Sequence, residues 1–221
     1  MITVHHLDNS RSQRILWLLE ELGLDYDIVE YKRDPDSAAA PESLKKIHPL
    51  GKSPVITDGE LTVAESGAII EYLLDRYDTE KRLRPIDGQA LLDYRYWLHF
   101  AEGSLMPLLV MKLVMMKVPN SPMPFFIKPI AKAITGKVQE KFILPRIKPQ
   151  MLFIEKTLGE HGWFVGEELT AADIQMSFPL QASSTRMDLS EFPNIARFIK
   201  QVEAQPAYQK AVAKGGAFTT L

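Results

Sequence analysis

Residues 2–31 read ITVHHLDNSRSQRILWLLEELGLDYDIVEY, and this stretch decides the fold. Ile2 to Leu7 is short and apolar-rich, as a strand requires. Asp8, Asn9 and Ser10 then supply cap-forming side chains, and Ile15, Leu16, Leu18, Leu19 and Leu22 follow at the spacing of one helix face. Gly23 stands where a helix ends in a left-handed residue, and Tyr26 to Tyr31 alternates apolar with charged positions like a half-buried strand. Together these pieces form a compact β-α-β unit.

Working outward, a short helix is expected near Pro41 to Ile47. Pro54 to Thr57, the turn Asp58-Gly59 and Leu61 to Ala64 read as a hairpin, and Ser66 to Tyr77 as a helix. The order β-α-β-α-β-β-α is that of a thioredoxin-like domain, a small mixed sheet covered by helices, placed at residues 1–80. Charge is dense from Asp78 to Asp87, so a linker is placed at 81–87. From Gly88 onward no strand pairs are evident. Leu91, Tyr94 and Leu98, then Met151, Ile154 and Leu158, then Ile195, Phe198 and Ile199 recur at spacings of three and four, which predicts an all-α domain over 88–221. The fold class is α+β. Prolines at 119, 122, 124 and 129 predict a loop or broken helix between Val118 and Pro129.

The chain has 221 residues and no cysteine, so disulfides, thiolate zinc sites and protein-thiol nucleophiles are excluded, and a reducing cytoplasm suits it. Any sulfur chemistry must come from a bound molecule. Lys and Arg number 26 against 28 Asp and Glu, a net charge of -2, which makes nucleic acid a poor partner. The apolar run Leu105 to Met116, interrupted by Pro107 and Lys112, is too short for the roughly 20 residues that span a bilayer, so no membrane span is expected.

Three segments are candidates for chemistry. Asn9, Ser10, Arg11 and Ser12 place hydroxyl and amide donors at a helix amino terminus, where unpaired N–H groups and the dipole favour an anion. Taken alone, the simpler assignment is a cap by Ser10 with Gln13 completing a capping box. In HPLGKSPV (48–55) a proline stands directly before a strand; a cis bond there would leave the preceding backbone ready to hold an extended peptide-like ligand, and a trans proline at a sheet edge fits the spacing equally well. Gly51-Lys52-Ser53 is no phosphate loop, because Lys46 stands where its first glycine is needed. Glu65-Ser66 opens a helix: Ser66 suits a cap, and Glu65 suits an ammonium partner. Thr170 and Asp173 form a capping box without chemistry. His5 and His6 are adjacent on a strand and face opposite ways, so they do not share a metal; no metal site is expected. Met106, Met111, Met115 and Met116 suit an adaptable apolar wall.

The segments LDNSRSQRILWLLEELGLDY, HPLGKSPVITDG, ESGAIIEYL, LTAADI and FPNIARFIKQVEAQPAYQKA, in this order, resemble the glutathione S-transferase superfamily over nearly the whole chain, most closely its serine-type bacterial and fungal members. The resemblance implies an enzyme joining the thiolate of glutathione to small hydrophobic electrophiles, and a homodimer. It implies that Ser53, before cis-Pro54, pairs with the cysteinyl backbone, that Glu65 and Ser66 hold the γ-glutamyl end, and that Lys52 meets the glycyl carboxylate. The catalytic hydroxyl is expected near the first helix start, on Ser10, with Asn9 and Ser12 as alternatives. Phe100, Met106, Leu109 and Met111 are expected to wall the electrophile. A non-catalytic glutathione-binding or protein-interaction module of the same fold is the rival reading.

Overall fold

The computed structural model describes residues 1–34, 39–185 and 187–216. Strand β1 (Ile2–Leu7) is central: it pairs in parallel with β2 (Tyr26–Tyr31) and antiparallel with β3 (Val55–Asp58), which pairs antiparallel with β4 (Leu61–Ala64). The strand order is β2-β1-β3-β4. Helix α1 (Gln13–Glu21) connects β1 to β2, a short α2 (Glu42–Lys45) precedes β3, and α3 (Ser66–Tyr77) follows β4. The hairpin turns at Gly59, whose φ of 61 only glycine adopts without cost, and α1 ends at Gly23 with φ 65.

The remainder is helical among the described residues: α4 (Gly88–Phe100), α5 (Met106–Lys117), α6 (Lys128–Val138), α7 (Leu144–Glu160), α8 (Ala171–Ser184), α9 (Pro193–Glu203) and α10 (Pro206–Gly215). The prolines between Val118 and Pro129 break the helix as their fixed φ requires. Pro107 does not. A π turn over Ala101–Leu105 shifts the hydrogen-bond register just before it, so α4 and α5 join into one helix, Gly88–Asn120. The continuous helix is therefore longer than the run Leu105 to Met116 read alone, and by length and composition only it would reach across a membrane. Tyr94, Trp97, Leu98, Leu105 and Leu109 within it are buried against the rest of the protein.

One apolar core runs through both halves. Ile15, Leu16, Trp17, Leu18 and Leu19 of α1 are wholly buried because this helix lies between the sheet and α8 and α10, and Trp17 meets the ring of Tyr208 edge-on at 5.4 Å. Burial of each large apolar side chain contributes about 1.5–3 kcal/mol. The stretch 81–87 is tied down: Asp78 accepts from the N–H groups of Arg82 and Leu83, and the carbonyl of buried Leu83 accepts from Ala171 N–H at 2.8 Å. Thr170 and Asp173 form the expected capping box, and Asp173 also accepts from Phe164 N–H at 2.8 Å. Burial pushes the Asp173 carboxyl up to about 6 despite those donors.

Candidate functional site

The elements converge on a cleft of about 410 Å³ in the sheet domain, bordered on the helical side by Glu102 of the π turn. The Ser53-Pro54 peptide, immediately before β3, is cis. Lys52, Ser53, Pro54, Glu65 and Ser66, taken from two separate segments of sequence, all line this one cleft. Glu65 joins β4 to α3 at φ 73, a region that costs a non-glycine residue about 1–3 kcal/mol and that concentrates at ligand sites. Neither helix start follows the simplest expectation. The residue capping α1 is Ser12, not Ser10, with no capping box through Gln13, and the residue preceding α3 is Glu65, so Ser66 is not its cap.

The three hydroxyl and amide candidates sit behind the cleft rather than on its wall. Asn9 turns the chain at φ 49, Ser10 is 6% exposed and Ser12 is 0% exposed. A hydrogen-bonded chain links the two serines to the cleft. His6 Nε2 lies 2.8 Å from the Gly215 carbonyl, which can only accept, so that nitrogen carries the proton. Burial lowers the His6 pKa, the neutral ring is favoured, and its Nδ1 accepts from Ser12 Oγ at 2.8 Å. With the Ser12 proton committed there and the Ser53 proton donated to the His5 carbonyl at 3.0 Å, the Ser10 hydroxyl proton has two alternative acceptors, Ser12 Oγ at 2.7 Å and Ser53 Oγ at 3.2 Å. Ser53 is the member of this chain that reaches the cleft wall.

Four charged or titratable lining residues have no role assigned from sequence: Arg11 and His48, which lie within the candidate segments, and Arg33 and Glu102, which lie outside them. Glu102, in the π turn of the helical half, accepts from Arg11 Nε at 3.0 Å and from Arg14 Nη2. Arg14 is wholly buried; it also donates to Ser66 Oγ at 3.1 Å and to the Gln175 carbonyl at 2.7 Å. Burial alone would raise the Glu102 carboxyl, yet the charges of Arg14 and Arg11 hold it below the usual carboxylate range. The two guanidinium groups also lie over the Phe178 ring, at 5.6 and 5.3 Å from its centre. The cleft thus presents three cations, Arg11, Arg33 and Lys52, and two carboxylates, Glu65 and Glu102. No sequence spacing marks Arg11 and Glu102 as partners, because they lie 91 positions apart.

The expected wall residues do not gather here. Phe100, Met106 and Leu109 are buried, Met111 is partly exposed, and none of the four lines this cleft. Helical spacing identified an apolar face correctly but could not say whether that face meets the core or an opening. Among the described residues no group of three or more His, Asp or Glu side chains is arranged to hold a metal ion.

A thioredoxin-like sheet domain with a polar cleft at a cis-proline, closed on one side by a helical domain, defines the class of protein. Residues 1–75 match the family profile described as glutathione S-transferase, N-terminal domain, and residues 124–214 match that of the C-terminal domain. The chain is 38% identical to glutathione S-transferase 1 of Saccharomyces cerevisiae, over 99% of this chain and 98% of that protein. It is equally 38% identical to glutathione S-transferase 3 of Schizosaccharomyces pombe, over 97% and 88% of the two chains. A solved glutathione S-transferase from Actinobacillus pleuropneumoniae is 40% identical and superposes with a TM-score of 0.78, covering 97% of this chain and 93% of that one. The chain belongs to the glutathione S-transferase family. It is a glutathione transferase, with glutathione as co-substrate.

Proposed function

We propose that this enzyme conjugates the glutathione thiolate to small hydrophobic electrophiles, a detoxifying reaction, and that Ser10 supplies the hydrogen bond that keeps the thiolate ionised. The observation that carries this reading is the shared cleft of Ser53, cis-Pro54, Glu65 and Ser66. Glutathione carries two carboxylates and one ammonium, and three cations with two carboxylates on the cleft wall suit that charge set. Lys52 would meet the glycyl carboxylate, Ser53 the cysteinyl backbone, and Glu65 and Ser66 the γ-glutamyl end. Residues 1–80 would then be the glutathione domain, 81–87 the linker and 88–221 the electrophile domain.

The energetics favour a hydroxyl donor over a base. A thiol of pKa near 8.5 needs a shift of about two units to be largely ionised at neutral pH, or close to 3 kcal/mol of anion stabilisation. One hydrogen bond to a charged partner supplies about 1.5–3 kcal/mol, and a helix amino terminus about 0.3–1 more. Ser10 fits better than Ser12, because the Ser12 proton is engaged by His6 and the Ser10 proton is exchangeable between two oxygens. Attack on the electrophile then gains from orientation within the cleft.

Retention on immobilised glutathione together with turnover of a chloronitrobenzene electrophile tests the reading. Retention without turnover favours a non-catalytic binding module, and absence of both retention and turnover contradicts the cleft assignment. We also propose a cytoplasmic homodimer: sedimentation at micromolar concentration showing only the 25.0 kDa chain would refute the dimer.

A further inference from the structure

The segment from Lys117 to Lys141 lies outside everything the glutathione cleft uses. Phe125 is 83% exposed and Phe126 63%, an aromatic pair in edge-to-face contact at 5.6 Å, in the proline-rich turn that precedes α6. Ile127, Ile130 and Ile134 follow at i, i+3 and i+7, the spacing of one helix stripe, and Ile130 and Ile134 are each 59% exposed. Contiguous exposure of this kind marks an interaction surface on a soluble fold. The same segment holds Lys117, Lys128, Lys132, Lys137 and Lys141 with one acid, Glu140, so it carries +4 in a chain whose net charge is -2, leaving -6 on the rest. Glu140 pairs with Lys141 at 2.7 Å. All five lysines are exposed, and among the described residues no carboxylate forms an ion pair with the other four.

We propose that this segment docks the enzyme on the surface of a bilayer bearing anionic headgroups, with the phenylalanine pair and the isoleucine stripe at the acyl boundary and the lysines among the headgroups. Apolar side chains bordered by lysines on an amphipathic helix are suited to that boundary, where burial and charge attraction act together. A second copy of the chain is the poorer occupant. A two-fold contact through this face would set one +4 segment against another. Docking here is peripheral and needs no residue of the glutathione cleft.

The test is co-sedimentation of the full chain with vesicles of phosphatidylcholine alone and with vesicles of equal parts phosphatidylcholine and phosphatidylserine. The protein should pellet with the anionic vesicles, and added salt should release it. Lys128→Glu with Lys132→Glu should weaken that binding at least about thirtyfold, since each lysine near an anionic surface is worth on the order of a fivefold change. Phe125→Ser with Phe126→Ser should abolish it, and both double variants should keep the wild-type rate of glutathione conjugation and thermal midpoint. Failure of the wild type to pellet with anionic vesicles, or undiminished pelleting of the two variants, would overturn the proposal. A variant that changes the protein's sedimentation coefficient without vesicles would overturn it too, by showing that copies of this chain cover the face.

Discussion

Glu102→Gln removes one negative charge from between two arginines while leaving the side chain's shape nearly unchanged. Arg14 is 1% exposed and Glu102 31% exposed in their side chains, so one member of the pair is fully desolvated and the other keeps a route to water. Breaking a fully buried pair costs about 3–5 kcal/mol. Partial solvation of Glu102, and the bonds Arg14 keeps to Ser66 and the Gln175 carbonyl, reduce the expected loss to about 2–3 kcal/mol. With an m-value of about 2–3 kcal/mol per molar, that is a fall of about 1 M in the urea midpoint. The effect has a pH signature. The Glu102 carboxyl is held below its ordinary 4.5, so its stabilising contribution is complete above that value and is lost as pH falls through the lower folded-state value. Urea melts of the two proteins should therefore differ near neutrality and converge in acid. Because Arg14 also holds Ser66, the variant should raise KM for glutathione more than it lowers kcat. A midpoint within experimental scatter of the wild type at neutral pH would refute the reasoning that this pair joins the two halves.

Ser10→Ala should lower kcat/KM by about one to two decades, matching the loss of one charge-assisted hydrogen bond, whereas Ser12→Ala should act more weakly through loss of register with His6; steady-state kinetics separates them. An unchanged rate in Ser10→Ala moves the role to its neighbours. Asp173→Ala leaves two backbone donors, on Phe164 and Thr170, without their acceptor, and should destabilise the fold by about 2–5 kcal/mol in a denaturant melt while leaving the affinity of the folded enzyme for glutathione unchanged.

Local patterns in the chain were enough for the elements that stand on local rules. β2 and α3 begin and end where alternation and helical spacing place them, and the box at Thr170 and Asp173 forms as its residues dictate. The lining of the cleft was legible at Ser53-Pro54, where one segment carries its own turn chemistry. It was not legible where burial depends on distant partners. Arg14 looks like an ordinary solvated residue of α1, and only Glu102 and Gln175 from the helical half explain why it is buried. The continuity of the helix through Pro107 depends on a π turn that leaves no mark in apolar periodicity. For the same reason helical spacing does not separate a core position from a cleft wall at Phe100, Met106 and Leu109, which are buried.

The most direct measurement is a spectroscopic pH titration of the thiol of glutathione held by the wild-type enzyme and by the Ser10→Ala variant. The wild type should ionise the thiol about two units below the roughly 8.5 of a free cysteine, and the variant should return most of that difference. A thiol that ionises on the wild-type protein at the same pH as in buffer would contradict anion stabilisation at the start of α1.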